Sequence, residues 1–213
     1  MTRRPVVVPV SARPAPPAAA PPPAPRGFTG GPVSLVSGPF DLRSLTPADV
    51  TDDMVSWFND DVMTRGLNLG GLAFTVDSLR QMVARFDNWR HFITGIFERA
   101  SGQLIGFYTI DVDPAHNVGQ ITTGIGRDEY RGRGVLWATI DVLLDDFFDR
   151  RGLDKMSARI VARNFRMLFN FKDTPRFILE ARLRQECRAP DGRRVDILVF
   201  SAFRGVPPGA FPP

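Results

Sequence analysis

The sequence predicts an α/β protein built on a single mixed, largely antiparallel sheet with helices on both faces. Three observations carry that expectation. Strand-like and helix-like patterns alternate through the middle of the chain. Two pairs of apolar runs are joined by turn signals, Ser101-Gly102 and Pro190-Asp191-Gly192, as in β-hairpins. A further segment passes from a strand through a glycine- and arginine-rich turn directly into a helix.

In chain order, residues 40–45 read as a strand. Thr46-Pro47 supplies a cap with proline in the first helical position and opens a helix through 58. A second helix is expected over 76–86, with Thr75 as its cap. Strands follow over 91–98, 103–111 and 119–126, the first two forming a hairpin. A long amphipathic helix occupies 134–149. Residues 156–162 form a strand, 165–171 a short helix, and 177–188 with 194–203 the closing hairpin.

The first 32 residues differ from the rest. Ten of the nineteen prolines lie there among alanine and glycine, so the segment cannot bury enough apolar surface to offset its chain entropy and is expected to sample extended polyproline conformations. The division is therefore a tail over 1–32, one domain over 33–205 and a short loose end over 206–213.

Composition narrows the class. Hydrophobic residues make up 43% and charged residues 23%, and no apolar run reaches the length of about eighteen that a membrane span requires. Lys155 and Lys172 are the only lysines, so arginine supplies nearly all of the positive charge and offers its planar fork to phosphate and carboxylate. The arginines are interspersed with carboxylates rather than gathered in a stripe, and no nucleic-acid partner is expected. Cys187 is the only cysteine, which excludes an intrachain disulfide and fits a cytoplasmic location. The apolar run near the start is broken by Pro9 and does not read as an export signal.

The chemistry concentrates in Thr122-Thr123-Gly124-Ile125-Gly126-Arg127-Asp128-Glu129-Tyr130-Arg131-Gly132-Arg133-Gly134-Val135. Glycines let backbone approach a ligand, and amides freed at a helix N-terminus attract an anion such as a pyrophosphate. Arg131 and Arg133 add full charge beside them. The bland alternative is a strand–helix turn with solvated arginines. A P-loop is excluded because no Gly-Lys-Ser/Thr follows the glycines, and a dinucleotide fingerprint because hairpins, not a βαβ unit, precede them.

This segment resembles the coenzyme-A loop of the GNAT acetyltransferase superfamily, whose pattern is Gln/Arg-x-x-Gly-x-Gly/Ala. Arg131 and Gly134 match, and Leu136 stands where the family has a small residue. Asn164 opens the helix after the next strand, where the family often places an asparagine on the pantetheine arm. Arg176-Phe177-Ile178-Leu179-Glu180-Ala181-Arg182-Leu183-Arg184, Val195-Asp196-Ile197-Leu198-Val199-Phe200 and Ser56-Trp57-Phe58-Asn59-Asp60 resemble motifs of the ribosomal-protein N-acetyltransferase branch. The resemblance covers about 42–204 and implies a GNAT-like acyl-CoA N-acyltransferase fold with acetyl-CoA wedged between the strands at 122–126 and 157–161. Backbone of Gly124, Ile125 and Gly126 would hold the pantetheine and polarise the thioester carbonyl. The loop Arg131, Gly132, Arg133, Gly134, Val135 and Leu136 would hold the pyrophosphate.

The implied activity is acetyl transfer to a primary amine of a protein N-terminus, an amino sugar or a small molecule. The alternative is a catalytically silent coenzyme-A-binding or protein-interaction domain. The family's glutamate before the loop is replaced by Gln120 or Ile121, and its tyrosine after the asparagine by Asn170 or Phe171. Asp111, Asp113 and His116 remain as candidates for the base, against the reading that they form a solvated turn; a metal site is not expected. Glu129 and Tyr130 read as helix-opening and packing residues, His91 as a partly buried strand histidine and Cys187 as core. Phe147, Phe148, Phe165, Phe169 and Phe171 read as core, with an apolar acceptor pocket or a homodimer surface as the alternative.

Overall fold

The computed structural model describes residues 27–68, 73–172, 176–189 and 191–206. Most of the proline-rich segment, the end beyond 206, and Pro190 of the last turn lie outside the described residues, as do the side chains of Phe169 and Asn170.

Thirteen regular elements follow one another: β1 (Ser34–Ser37), β2 (Phe40–Ser44), α1 (Asp52–Asn59), α2 (Asp61–Leu67), α3 (Val76–Val83), β3 (His91–Glu98), β4 (Gln103–Asp113), β5 (Val118–Ile125), α4 (Val135–Asp145), β6 (Lys155–Val161), α5 (Phe165–Lys172), β7 (Ile178–Arg188) and β8 (Arg194–Phe203). They build one eight-stranded sheet in the order β1-β2-β3-β4-β5-β6-β8-β7. Only β5 and β6 run parallel; every other neighbouring pair is antiparallel. The expected fold class is the one observed.

Both faces of the central strands are covered, which is why β3 reads as a nearly continuous buried run. Phe92 and Ile96 join Tyr108, Ile140, Leu143 and Phe147 under α4. Ile93 and Phe107 face the other way, into a cluster with Met54, Trp57, Phe58 and Leu79 from α1 and α3. Each such side chain contributes about 1.5–3 kcal/mol by leaving water.

Several boundaries differ from expectation. The helix expected from 46 to 58 is broken. Pro47–Asp49 form a 3-10 turn, Val50 is extended and buried, and Thr51 starts α1 by accepting from the Met54 amide. Burial of Val50 pulls the chain out of helical geometry. The expected strand set lacks β1, a short edge strand whose side chains alternate between exposed and half-buried. It also lacks α2, which starts at the Asp60 cap immediately after α1. α4 ends at Asp145 and continues as one π turn, Asp146–Arg150, because Arg150 and Arg151 both reach back to Asp146.

Packed chain begins before residue 33. Phe28 is buried against Trp89 and Phe92. Arg151, fully buried, pairs with Asp146 at 2.6 Å and donates to the carbonyls of Gly31 and Pro32 at 2.7 and 3.0 Å. Of the phenylalanines expected in the core, Phe147, Phe148 and Phe171 are there, whereas Phe165 is 67% exposed at the start of α5.

Candidate active site

The parallel pair opens into a wedge. β5 and β6 pair from Val118 with Lys155 to Ile121 with Ala158, and no further. β5 continues against β4 to Ile125, while β6 continues against β8 to Val161. Each strand keeps its other neighbour, so the sheet splits between them. The gap is a cavity of about 650 Å³. Its walls are Thr122 to Ile125 on one side and Ala158 to Ile160 on the other. α4 contributes Leu136 and Ile140, α5 Met167 and Phe171, and α2 Val62 to Leu67.

At the mouth, the chain leaves β5, makes a 3-10 turn over Asp128–Tyr130 and enters α4. Gly132 and Gly134 take φ of 75° and 73°, the left-handed region that side chains disfavour. Amides in the first turn of α4 have no intrahelical acceptor, and the helix dipole makes that end attractive to anions.

Arg131 does not point outward. Its Nε donates to Ile125 O at 3.0 Å and one terminal nitrogen to Gly126 O at 3.1 Å, with Asp128 at 2.6 Å completing the bracket. The arginine ties the loop to the end of β5. Arg133 is exposed beside it. Leu136 is buried in the cavity wall, and its carbonyl takes the hydroxyl of Tyr108. The apolar side chain thus occupies part of the space a small residue would leave open. Burial pushes the Tyr108 phenol up, and its hydroxyl lies 2.7 Å from Thr139 Oγ1.

The glycines of β5 serve packing. A Cβ on Gly126 would lie 1.9 Å from the ring of Trp57, and one on Gly124 2.8 Å from Met63 Sδ. The Gly126 amide donates to Ile105 O at 2.9 Å. By the two-residue alternation of an antiparallel ladder, it is the amides of Thr123 and Ile125 that face the gap. Asn164 lines the cavity but is already engaged: it donates to Gly66 O at 3.1 Å and accepts from the Met167 amide at 3.3 Å. It joins α2 to the start of α5 across the wedge. Asn68, at the end of α2, adds a second tie, accepting from Arg163 at 2.9 Å and donating to Arg188 O at 3.1 Å.

On the sheet face away from α4 and α5, a second depression of about 450 Å³ adjoins the wedge, and Arg159 lines both. Asp111 and Asp113 lie on its wall. Asp111 Oδ1 is 2.8 Å from His91 Nδ1. His91, expected to be partly buried, is exposed, its side chain 55% accessible. Asp113 accepts from the Ala115 amide and so organises the turn, and His116 lies exposed on that turn, outside the lining of the depression. The structure therefore brings together Asp111 and Asp113 and leaves His116 apart. It adds Gln120, Ser157 and Glu180, which sequence reasoning did not assign; the signal available was the glutamate within the motif at 176–184.

Comparison with known proteins fits this geometry. The family model of the acetyltransferase (GNAT) domain matches residues 40–168, more than half of the chain. Among solved structures, the chain is similar to RimL, a ribosomal alpha-N-protein acetyltransferase in complex with coenzyme A, with a TM-score of 0.71 and 14% identity over 83% of this chain and 98% of that one. It is similar to a ribosomal-protein alanine acetyltransferase from Vibrio fischeri, with a TM-score of 0.69 and 16% identity over 81% and 97% of the two chains. A spermidine N-acetyltransferase from Vibrio cholerae in complex with CoA and spermine gives a TM-score of 0.69 and 18% identity over 78% and 96%. Comparison by sequence with curated proteins gives no match. At these identities the solved structures speak to the fold, and the family model carries the assignment. The chain belongs to the GNAT acetyltransferase family, enzymes whose acetyl donor is acetyl-CoA.

Proposed function

We propose that the protein transfers acetyl from acetyl-CoA to a primary aliphatic amine, a protein N-terminus or a small polyamine, by direct attack within a ternary complex. The observation that carries this reading is the adjacency of the two spaces: Arg159 lines both, and at the point where β5 and β6 part Ile121 and Ala158 line the wedge while Gln120 and Ser157 line the depression.

In this reading the pantetheine arm lies in the wedge against the Thr123 and Ile125 amides. The pyrophosphate lies on the first turn of α4, beside Gly132, Arg133 and Gly134. Arg131 acts through its bracket on the loop, and Asn164 by holding α2 over the cavity. The acceptor enters from the depression, where Asp111, Asp113 and Glu180 outnumber Lys155 and Arg159 and leave the lining net negative, which favours a cation. No aromatic side chain lines the depression among the described residues, so nothing there offers a nucleobase a stacking platform. That favours an aliphatic amine over a nucleotide-linked amino sugar. Holding amine and thioester together supplies much of the acceleration, because oriented reactants gain up to about 7–11 kcal/mol.

The test is a calorimetric titration with acetyl-CoA and with CoA, followed by thiol release in the presence of spermidine or of a peptide with a free N-terminal alanine. Saturable binding and amine-dependent thiol release are the expected results. Binding without release to either amine sinks the transferase reading, and absence of binding sinks the wedge as the donor site.

A further inference from the structure

The vertex of the wedge carries a chain of hydroxyls ending on a carboxylate. Gln120 pairs with Ser157, and Ile121 with Ala158, before β5 and β6 part. Ile121 and Ala158 are buried under α4. Strand alternation therefore puts Gln120 and Ser157 on the opposite face, where both line the depression. Ser157 Oγ lies 2.9 Å from Ser201 Oγ. Ser201, fully buried, donates to Glu180 Oε2 at 2.6 Å. Glu180 itself sits in a β-bulge, because Leu179 pairs with Phe200 and Ala181 with Val199, leaving it unopposed. A bulge re-aims a side chain. Here it turns the carboxylate to Ser201 and to Lys155 Nζ, 2.6 Å away.

Proton counting fixes the direction of this chain. A carboxylate only accepts, and each hydroxyl carries one proton. Ser201 gives its proton to Glu180, so the proton between the two hydroxyls belongs to Ser157. The lone pairs of Ser157 Oγ are then the acceptor presented at the vertex, and an ammonium N–H is the matching donor.

We propose that Glu180, acting through Ser201 and Ser157, takes the proton from the acceptor ammonium. Ser157 is the contact with substrate, and Ser201 and Glu180 are positioning residues of the relay. The inference rests on the transferase reading above. In the step, an N–H proton passes to Ser157 Oγ, the Ser157 proton to Ser201, and the Ser201 proton to Glu180. The freed nitrogen lone pair bonds to the thioester carbonyl carbon and the C–S bond breaks. A second N–H proton neutralises the departing thiolate, and the proton on Glu180 returns to water at its exposed edge. The relay supplies the base that β5 lacks at residues 120 and 121.

The charged groups facing Glu180 are Lys155 and Arg159 of β6 and, across the depression, Asp111 and Asp113 of β4, with His91 behind Asp111. Lys155 first, and then Ser201, hold the Glu180 carboxyl below its ordinary range. It is therefore charged at neutral pH and a weak base, which puts its effect at the lower end of the about 10²–10⁴-fold typical of general-base catalysis.

The experiment compares the full chain with Glu180→Gln, Ser157→Ala and Ser157→Thr, using the alanine-terminated peptide and spermidine as probes. An α-amino group titrates at about 7.7–8.0, so rates are measured from about pH 6.5 to about pH 9.5, where the peptide amine is already neutral and needs no base. With the peptide, Glu180→Gln and Ser157→Ala are expected to lose about 10²-fold in kcat at the acid end and to recover to within about threefold of wild type at the alkaline end; with spermidine, whose alkyl amines titrate near about 10.4 and stay charged across this range, the loss is expected to persist. The calorimetric Kd for acetyl-CoA stays unchanged, and Ser157→Thr, which keeps the hydroxyl, retains most of the activity. Variants within about threefold of wild type at the acid end, or a defect with the peptide that is uniform across pH, overturn the relay. A wild-type protein that binds acetyl-CoA but acetylates neither probe overturns the transferase reading itself, so the two failures are told apart.

Discussion

The ring of Trp57 lies so close on Gly126 that a Cβ there would sit 1.9 Å from Cδ2. Trp57 is buried on α1, and Gly126 follows directly on β5. The contact seats α1 on the strand that forms one wall of the wedge. Gly126→Ala is expected to cost about 1–3 kcal/mol, the range for overpacking a close-packed contact. A fall in the urea midpoint at constant m-value checks it; an unchanged midpoint would show that the ring yields.

Arg131 and Arg133 are expected to separate in their effects. Removing the Arg131 side chain breaks the bracket to Ile125 O and Gly126 O, so Arg131→Ala lowers both Tm and acetyl-CoA affinity. Arg133 is exposed. Arg133→Ala should leave Tm unchanged and weaken acetyl-CoA binding by about tenfold, the scale of one charge-assisted contact, with a smaller effect at high salt. Equal losses of stability in both variants would contradict the division.

The fold was readable because its signals are local. Short apolar runs marked β3 to β5, and the turn residues fixed both hairpins. The glycine–arginine turn located the mouth of the wedge. What stayed hidden depends on distant partners. Val50 leaves the helix because of burial, which no propensity scale sees, and β1, at four residues, is too short for its alternation to stand out in the sequence. Gly124 and Gly126 looked like ligand-facing glycines, yet Met63 and Trp57, some sixty residues earlier in sequence, are the reason for them. Arg131 likewise looked like a phosphate ligand until its carbonyl acceptors were visible. Glu180 was visible only as the glutamate of the motif at 176–184, and its orientation was not, because that comes from a bulge.

Asp146 and Arg151 form a buried pair, and Arg151 also holds the carbonyls of Gly31 and Pro32. Removing one member of such a pair leaves the other charged and unmatched, at a cost of about 3–5 kcal/mol. Asp146→Ala is therefore expected to show a much lower Tm, together with early proteolysis near residue 31. Cleavage and Tm unchanged from wild type would mean that Arg151 is held by the carbonyls and by the rings of Phe92 and Phe147, 5.2 and 5.0 Å from its guanidinium carbon, alone.

Acid should weaken the link between β2 and the turn that follows it. Arg43 holds the Asp49 carboxyl down to about 2, aided by Thr46 and opposed by burial. A carboxyl whose folded pKa lies below its unfolded value of about 3.9 stabilises fully above that value and loses the contribution as pH falls through the folded pKa. The Arg43 side chain is 45% exposed although that of Asp49 is only 16% exposed, so solvent screens the pair from one side and the contribution is about 1 kcal/mol. Asp49→Asn should lower Tm at neutral pH, and its difference from wild type should vanish between about pH 4 and about pH 2. A difference that persists at the acid end would assign the loss to packing.

Asn68 ends α2 in the left-handed region, φ 56°, while its side chain spans to Arg163 and to the Arg188 carbonyl. Two properties are combined, and two substitutions separate them. Asn68→Gly keeps the backbone conformation and removes the ties, so it should leave Tm within about 1 kcal/mol-equivalent of wild type while loosening α2 over the wedge. Faster amide exchange in α2 and a raised KM for acetyl-CoA are the expected readouts. Asn68→Ala removes the ties and also places an ordinary residue in the left-handed region, adding about 1–2 kcal/mol of backbone strain. If both variants change Tm equally and neither alters exchange in α2, the side-chain ties do not hold the helix across the wedge, and Asn164 with Gly66 must hold it alone.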